Sequence, residues 1–245
     1  LFVLAERRGA ESKRETISGA ITDRYASPTS FRRRLDWLRF QTTFKSGFWN
    51  NRIRSFVKRN NIEILHVHDL PLVGTTIEIA QEFNIPVIAD MHENYPAAKQ
   101  LWSETIRDPL VWFGDDYRRW QRYEKRILPL ANKVITVVEE AAHRLQESGT
   151  VNSKNMTVVM NVEEITWFDT LATTNIIEDD TIRIVYVGGV RPHRGLDEVI
   201  KALVELKHHN LLLRIIGARG TYAKELQELA KNLGVANKIE LVPWR

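Results

Sequence analysis

Residues 186–218 read YVGGVRPHRGLDEVIKALVELKHHNLLLRIIGA, and a change of hydrophobic period inside this stretch decides the fold class. Ile182, Ile184 and Tyr186 alternate with Val185 and Val187, a run that predicts a strand buried on both faces, as parallel sheets require. Beyond the glycines, Leu196, Val199, Ile200, Leu203 and Leu206 recur at helical spacing, so the period passes from two to about 3.6. The segment therefore reads strand, glycine-rich turn, amphipathic helix, strand and glycine. Arg194 stands just before Gly195, at the mouth of the helix. The open N–H groups of a first helical turn, the macrodipole and a guanidinium together favour a diphosphate at such a place. The same pattern also suits an ordinary tight connection in a doubly wound domain, with Arg194 solvated.

Working outward, strands are predicted at 1–5, 62–67, 86–90, 133–138 and 156–160. They alternate with helices over 31–60, 71–83, 97–128 and up to residue 147. Pro71 suits a first helical turn. Such a βαβ series calls for a parallel sheet with helices on both faces. Periodicity lapses between Val162 and Asp180, and a second series follows, with strands at 182–187, 211–216 and 238–242 and helices at 196–208 and 222–233. The predicted organisation is a domain over 1–165, a linker over 166–180 and a domain over 181–245. The second holds three strands where a doubly wound domain normally has five or six, so it reads as incomplete.

With 245 residues and 43% hydrophobic content, the chain has material for one large or two modest cores. The sequence offers no eighteen-residue apolar window and no signal-peptide pattern at its start. It contains no cysteine, which excludes thiolate chemistry and disulfide scaffolds and suits a reducing cytoplasm. The net charge of +4 is unevenly spread: residues 24–59 carry ten Lys and Arg against Asp36 alone. Phe31, Trp37, Phe40, Phe44, Phe48, Trp49 and Phe56 are interleaved with them. A basic, aromatic helix suits an anionic membrane surface; the alternative is a helix with its rings in the core. The region carries no nucleic-acid motif, so a nucleic-acid partner is not expected.

The residues with chemical potential cluster at predicted strand ends. His66 and His68 share one face of ILHVHD, with Asp69 at its tip, and His92 and Glu93 end the next strand. Ligands of open α/β sheets bind outside these carboxyl ends, and a histidine there can serve as acid, base or hydrogen-bond donor. His66 also reads as a satisfied core histidine, and His68 and Asp69 as loop anchors. Two histidines and a carboxylate also suit zinc or iron, but the H-x-H pair lacks a third ligand at a diagnostic spacing, so no metal is expected. There is no G-x-S-x-G elbow, and GGVRPHRG matches neither a Walker A sequence nor G-x-G-x-x-G.

Seven segments in order resemble the retaining GT-B glycosyltransferases of the GT4 class. They are IEILHVHDLPLVG, IPVIADMHENYP, ANKVITVVEEAAHRL, MTVVMNVEE, IRIVYVGGVRPHRGLDEVIKAL, LLLRIIGARG and ELAKNLGVANKIELVPW, together spanning about residues 62–245. The resemblance implies an α/β fold of GT-B type: two Rossmann-like domains facing a cleft, the first on the acceptor side, the second, incomplete here, holding the nucleotide-sugar donor. It implies no bound cofactor. Gly188 keeps the glycine of the family's donor-phosphate pattern, Gly189 stands where an arginine is usual, and Arg194 replaces a lysine as the charged phosphate clamp. Backbone N–H groups around Gly188 and Gly189 are then expected to assist.

On the same resemblance His92 lies near the transferred sugar and, with Arg194, is the expected catalytic pair. Gly217 and Arg219 approach the nucleotide base, and His68, Asp69 and Glu93 lie on the acceptor side. Trp102, Trp112, Phe113, Trp120 and Tyr123 are rings that suit either a sugar surface or a core. The family also opens with a strand and glycine loop before Leu1, central in the sheet, and continues past Arg245 with a glutamate-bearing donor segment. The chain thus reads as truncated at both ends. The expected activity is hexose transfer from a nucleotide-diphosphate sugar to a glycan or lipid-linked acceptor in bacterial envelope polysaccharide synthesis. The expected location is cytoplasmic, peripheral at the inner face of the membrane. The alternatives are a nucleotide-sugar epimerase of the same architecture and a non-catalytic sugar-nucleotide-binding module.

Overall fold

The computed structural model describes residues 1–7, 9–103, 116–163, 165–170 and 179–244, and the chain divides into two compact units, 1–163 and 164–245. Trp112, Phe113, the break expected at Pro109 and linker residues 171–178 lie outside the described residues, as does the Trp102 side chain.

The first unit begins with β1 (Phe2–Arg7), β2 (Arg14–Ile17) and β3 (Ala20–Ala26). β1 pairs parallel with β3, and β2 pairs antiparallel with it. The β2–β3 hairpin is absent from the sequence reading. Its signal is the Ser18–Gly19 pair, both residues at positive φ (48° and 81°), the requirement of a two-residue hairpin turn whose twist matches the flanking strands.

The single helix expected over 31–60 is two, α1 (Ser30–Thr43) and α2 (Gly47–Asn60). Phe44 ends α1 in the left-handed conformation, and the Ser46 hydroxyl caps α2 by accepting the Trp49 N–H at 3.1 Å. The break lets Phe44 drop into the core. There it stacks on Tyr123 at 4.0 Å and meets the edge of Trp120 at 4.8 Å.

A four-stranded parallel sheet follows, in the order β4 (Leu65–His68), β5 (Val87–Met91), β6 (Lys133–Thr136), β7 (Met156–Val158). Its connections carry α3 (Leu70–Phe83), α4 (Tyr95–Ser103), α5 (Tyr117–Ile127) and α6 (Glu139–Glu147). Leu65 and Val67 of β4 point into the core while His66 and His68 point out of it. α3 packs closely on α5: Gly74 donates its N–H to the Tyr123 hydroxyl at 3.0 Å, and a Cβ there would lie 2.5 Å from that oxygen. Trp120 and Tyr123 are thus core residues, 1% and 3% exposed, and not rings displayed for a sugar.

β1 and β4 belong to different sheets, yet both border one apolar cavity of about 820 Å³ backed by Trp49, Ile53 and Phe56 of α2.

In the second unit, after the short α7 (Ile165–Thr170), β8 (Ile182–Val187), β9 (Leu211–Ile216) and β10 (Ile239–Val242) form a parallel sheet with β9 central. Its helices are α8 (Leu196–Glu205) and α9 (Gly220–Asn232). Leu196, Ile200 and Leu203 of α8 and Leu226 of α9 close over Leu211, Leu213 and Ile215. The burial of β8 on both faces expected from its sequence does not hold. Ile182, Val185 and Val187 are 59%, 55% and 61% exposed; among the described residues β8 is an edge strand beside β9, and little packs on either of its faces. Among the described residues no helix is long and apolar enough to cross a membrane.

Candidate functional site

Register builds the site of the first unit. In the parallel β4–β5 pair, His68 lies directly opposite Asp90, so both side chains leave the same face, and His92 follows two residues beyond Asp90. His66, two residues before His68, stacks on it with ring centroids 4.8 Å apart. Asp90 Oδ2 is the hub: it stands 3.0 Å from His66 Nε2, 3.5 Å from His68 Nδ1 and 3.3 Å from His92 Nε2. His68 Nδ1 and His92 Nε2 are themselves 3.2 Å apart. His66 is exposed and paired to Asp90, not the core histidine its sequence position also allowed.

Asp90 itself escapes the sequence reading. Its signal is a lone carboxylate within an otherwise apolar strand, VIADM. It is buried at 9% exposure, a position that charged side chains take only when paired. Burial, and then the neighbouring His66, push His68 below the usual imidazole pKa, since like charges crowd poorly in a half-dry site.

Asp69 adds strain. Its backbone sits at φ 62°, ψ 152°, a region essentially reserved for glycine and costing about 1–3 kcal/mol. Its N–H donates to the Asp90 carbonyl at 2.9 Å, and its carboxylate stands 4.0 Å from His92 Nδ1. Held non-glycine backbone of this kind concentrates at functional sites. Glu93 occupies the next turn, where its carbonyl accepts the Tyr95 N–H at 2.9 Å.

The second unit gathers its candidates where β8 and β9 end. Gly217, at φ 107°, packs so closely on Gly188 that a Cβ would lie 2.2 Å from the Gly188 carbonyl oxygen. Only glycine fits. The Gly188 N–H is already bonded to the Ile216 carbonyl at 3.1 Å and the Gly217 N–H to that of Val242 at 2.8 Å. Neither N–H is therefore open to a ligand, which corrects the expectation that Gly188 would supply one. The Gly189 carbonyl accepts the Tyr186 hydroxyl at 2.9 Å, fixing the turn.

Arg194 ends the 3₁₀ turn Pro192–Arg194 immediately before α8, exposed and without an ion pair among the described residues. Arg191 opens the same turn, also exposed. It lies within GGVRPHRG and supplies a second cation that the strand–turn–helix pattern does not single out. Two carboxylates in the first turn of α8, Asp197 and Glu198, oppose an anion there, but Lys201 pairs with both at 3.3 and 2.6 Å. Arg219 is engaged: its guanidinium donates to the Trp244 carbonyl at 2.9 Å, tying down the chain beyond β10.

Comparison with known proteins agrees with this anatomy. Residues 2–162 match the Glycosyltransferase Family 4 profile, and residues 169–245 match Glycosyl transferases group 1. No curated protein matches the sequence significantly. Among solved structures the chain is similar to a glycosyltransferase from Rickettsia africae ESF-5, at 14% identity and TM-score 0.59, covering 91% of this chain and 55% of that one. It is also similar to the apo form of the lipopolysaccharide outer core galactosyltransferase WaaB, at 14% identity and TM-score 0.58, covering 91% and 53%. A third likeness, to TarM, has 14% identity and TM-score 0.53, covering 78% and 35%. The chain spans about half the length, or less, of these three solved structures. With a family profile running from 2 to 162 and a GT-B architecture in its structural relatives, the chain belongs to glycosyltransferase family 4.

Proposed function

We propose that this chain serves a retaining glycosyltransferase that moves a hexose from a UDP or GDP sugar to a glycan or lipid-linked acceptor in bacterial envelope polysaccharide synthesis. The observation that carries the reading is the Gly188–Gly217 approach at the carboxyl ends of β8 and β9, next in the chain to two exposed cations, Arg191 and Arg194. The two glycines carry no side chain that would block a diphosphate, and the cations and helix start beside them supply the charge it needs. During transfer the bond between the anomeric carbon and the diphosphate oxygen breaks, and its electrons leave with the diphosphate. The acceptor hydroxyl oxygen bonds to the same face of the sugar, and its proton passes to the departing diphosphate. Arg194, helped by Arg191, stabilises the charge that develops. His92, oriented by Asp90, positions the sugar hydroxyls, with His68, Asp69 and Glu93 on the acceptor side. Gly189 and Arg219 complete the donor side, Arg219 through its hold on the Trp244 backbone.

A peripheral place at the inner face of the membrane fits α1. Phe44 and Phe56 are in the core, but Phe31, Leu35 and Leu38 recur at i, i+4 and i+7 and stay 71%, 51% and 42% exposed. Arg32, Arg33 and Arg34 beside them make no ion pair among the described residues. Such a face suits anionic lipid, and the likeness to a lipopolysaccharide galactosyltransferase supports a lipid-linked acceptor.

The test incubates the full-length protein with UDP and GDP hexoses and glycan or lipid-linked acceptors, reading released nucleoside diphosphate and the anomeric configuration of the product by NMR. Acceptor-dependent release with retention is expected. No cleavage of any donor, an inverted product, or an epimerised donor without acceptor contradicts the proposal.

A further inference from the structure

Three atoms at the tips of β4 and β5 form a nearly equilateral triangle: His68 Nδ1, His92 Nε2 and Asp90 Oδ2, with edges of 3.2, 3.3 and 3.5 Å. Zinc bonds to imidazole nitrogen and carboxylate oxygen are about 2.0–2.2 Å long. Tetrahedral geometry then separates neighbouring ligand atoms by roughly 3.3–3.5 Å. The triangle therefore has the size of one face of a zinc coordination tetrahedron. His66 Nε2, 3.0 Å from the same Asp90 oxygen, forms a second three-point group with His68 and Asp90 in which all ligand atoms lie within 4.8 Å of one another.

Two further features point the same way. Metal-bound histidines usually turn their other ring nitrogen toward a carboxylate, and Asp69 Oδ1 stands 4.0 Å from His92 Nδ1, on the side away from the triangle. Asp90 is also positioned as a ligand should be. Its backbone is fixed in the sheet opposite His68 and its carboxylate is mostly withdrawn from water, so little is lost in ordering it. The spacing of H-x-H gives no hint of this, because the remaining ligands come from the neighbouring strand.

We propose that His68, Asp90 and His92, with His66 within reach as a fourth ligand, form a seat for a first-row divalent cation of the zinc type. Two imidazoles and one carboxylate around an open position suit Zn²⁺, Co²⁺ or Fe²⁺ and disfavour Mg²⁺ and Ca²⁺, which prefer all-oxygen shells. The seat draws on His68, Asp90 and His92, the side chains assigned above to the sugar and the acceptor, so a bound cation would take the place of those contacts, and its binding is read without substrate.

The test titrates Co²⁺ into the tag-free, chelator-treated chain and follows its visible ligand-field bands, then displaces it with Zn²⁺. One Co²⁺ per chain is expected, with affinity reduced at least about ten-fold in both His68→Ala and Asp90→Asn. It should be unchanged when the exposed pair His208 and His209 is replaced by alanine. Circular dichroism of each metal-free variant checks folding. X-ray absorption of the wild-type zinc form gives a reading that needs no variant, with two or three imidazoles at about 2.0–2.1 Å expected. Absence of ligand-field bands, a zinc shell without imidazole, binding that survives His68→Ala, or binding lost with His208 and His209 overturns the proposal.

Discussion

His68 Nδ1 stands 3.2 Å from His92 Nε2, and the two rings meet because parallel register sets His68 against Asp90, two residues ahead of His92. Strand pairing, not proximity in sequence, makes the site, and each part of it has a measurable consequence.

Asp69 is held at φ 62°, ψ 152° beside His92. Asp69→Gly relieves about 1–3 kcal/mol of strain and gives back about 0.5–1 kcal/mol through the freer unfolded chain. Urea unfolding should therefore show a net gain of up to about 2.5 kcal/mol, while donor turnover falls. A loss of stability would show that the aspartate side chain holds the loop and that the strain is small.

Glu124 is 2% exposed and accepts both terminal nitrogens of Arg144, at 2.7 and 2.9 Å. The carboxylate in turn raises the Arg144 pKa. Arg144→Met leaves a buried charge uncompensated and should lower unfolding stability by about 3–5 kcal/mol. Adding Glu124→Leu should recover most of that loss, since two apolar side chains replace the pair. A double variant as unstable as the single one would contradict this account.

Burial pushes the Tyr123 hydroxyl up to about 12. The folded state thus keeps a proton that the unfolded chain releases near pH 10. The contribution is fully present below pH 10 and lost as pH rises toward 12, by about 2–3 kcal/mol. The stability advantage of wild type over Tyr123→Phe should shrink by that amount across this window. A difference independent of pH would sink the assignment.

The α/β class, the βαβ order and the placement of His92 at a strand end and of Arg194 at the mouth of a helix were legible in the sequence, because hydrophobic period and glycine position are local signals. Three matters were not. The β8 residues Val185 and Val187 look like buried strand in composition, yet their burial depends on neighbours that a linear pattern does not contain. Asp90 and Arg191 sit inside an apolar strand and a glycine-rich loop, whose patterns carry no mark of a single charged side chain. The fate of the rings in α1 and α2 turned on a single left-handed residue, Phe44, whose αL conformation no propensity favours.

The exposed stripe of Phe31, Leu35 and Leu38 predicts salt-resistant binding to anionic vesicles. Replacing all three by serine should weaken flotation at least about ten-fold, the effect of roughly 1.4 kcal/mol, and leave only binding that high salt abolishes. Equal flotation of the variant would remove the insertion component of the membrane assignment.

The central claim, that the loops after β8 and β9 hold the donor diphosphate, is tested most directly by isothermal titration of the chain with UDP and GDP sugars. The account predicts that at least one donor binds, that Arg194→Ala weakens it ten-fold or more, about 1.4 kcal/mol, and that Arg194→Lys largely restores it. No donor binding to the folded chain, or binding unchanged by Arg194→Ala, would contradict it.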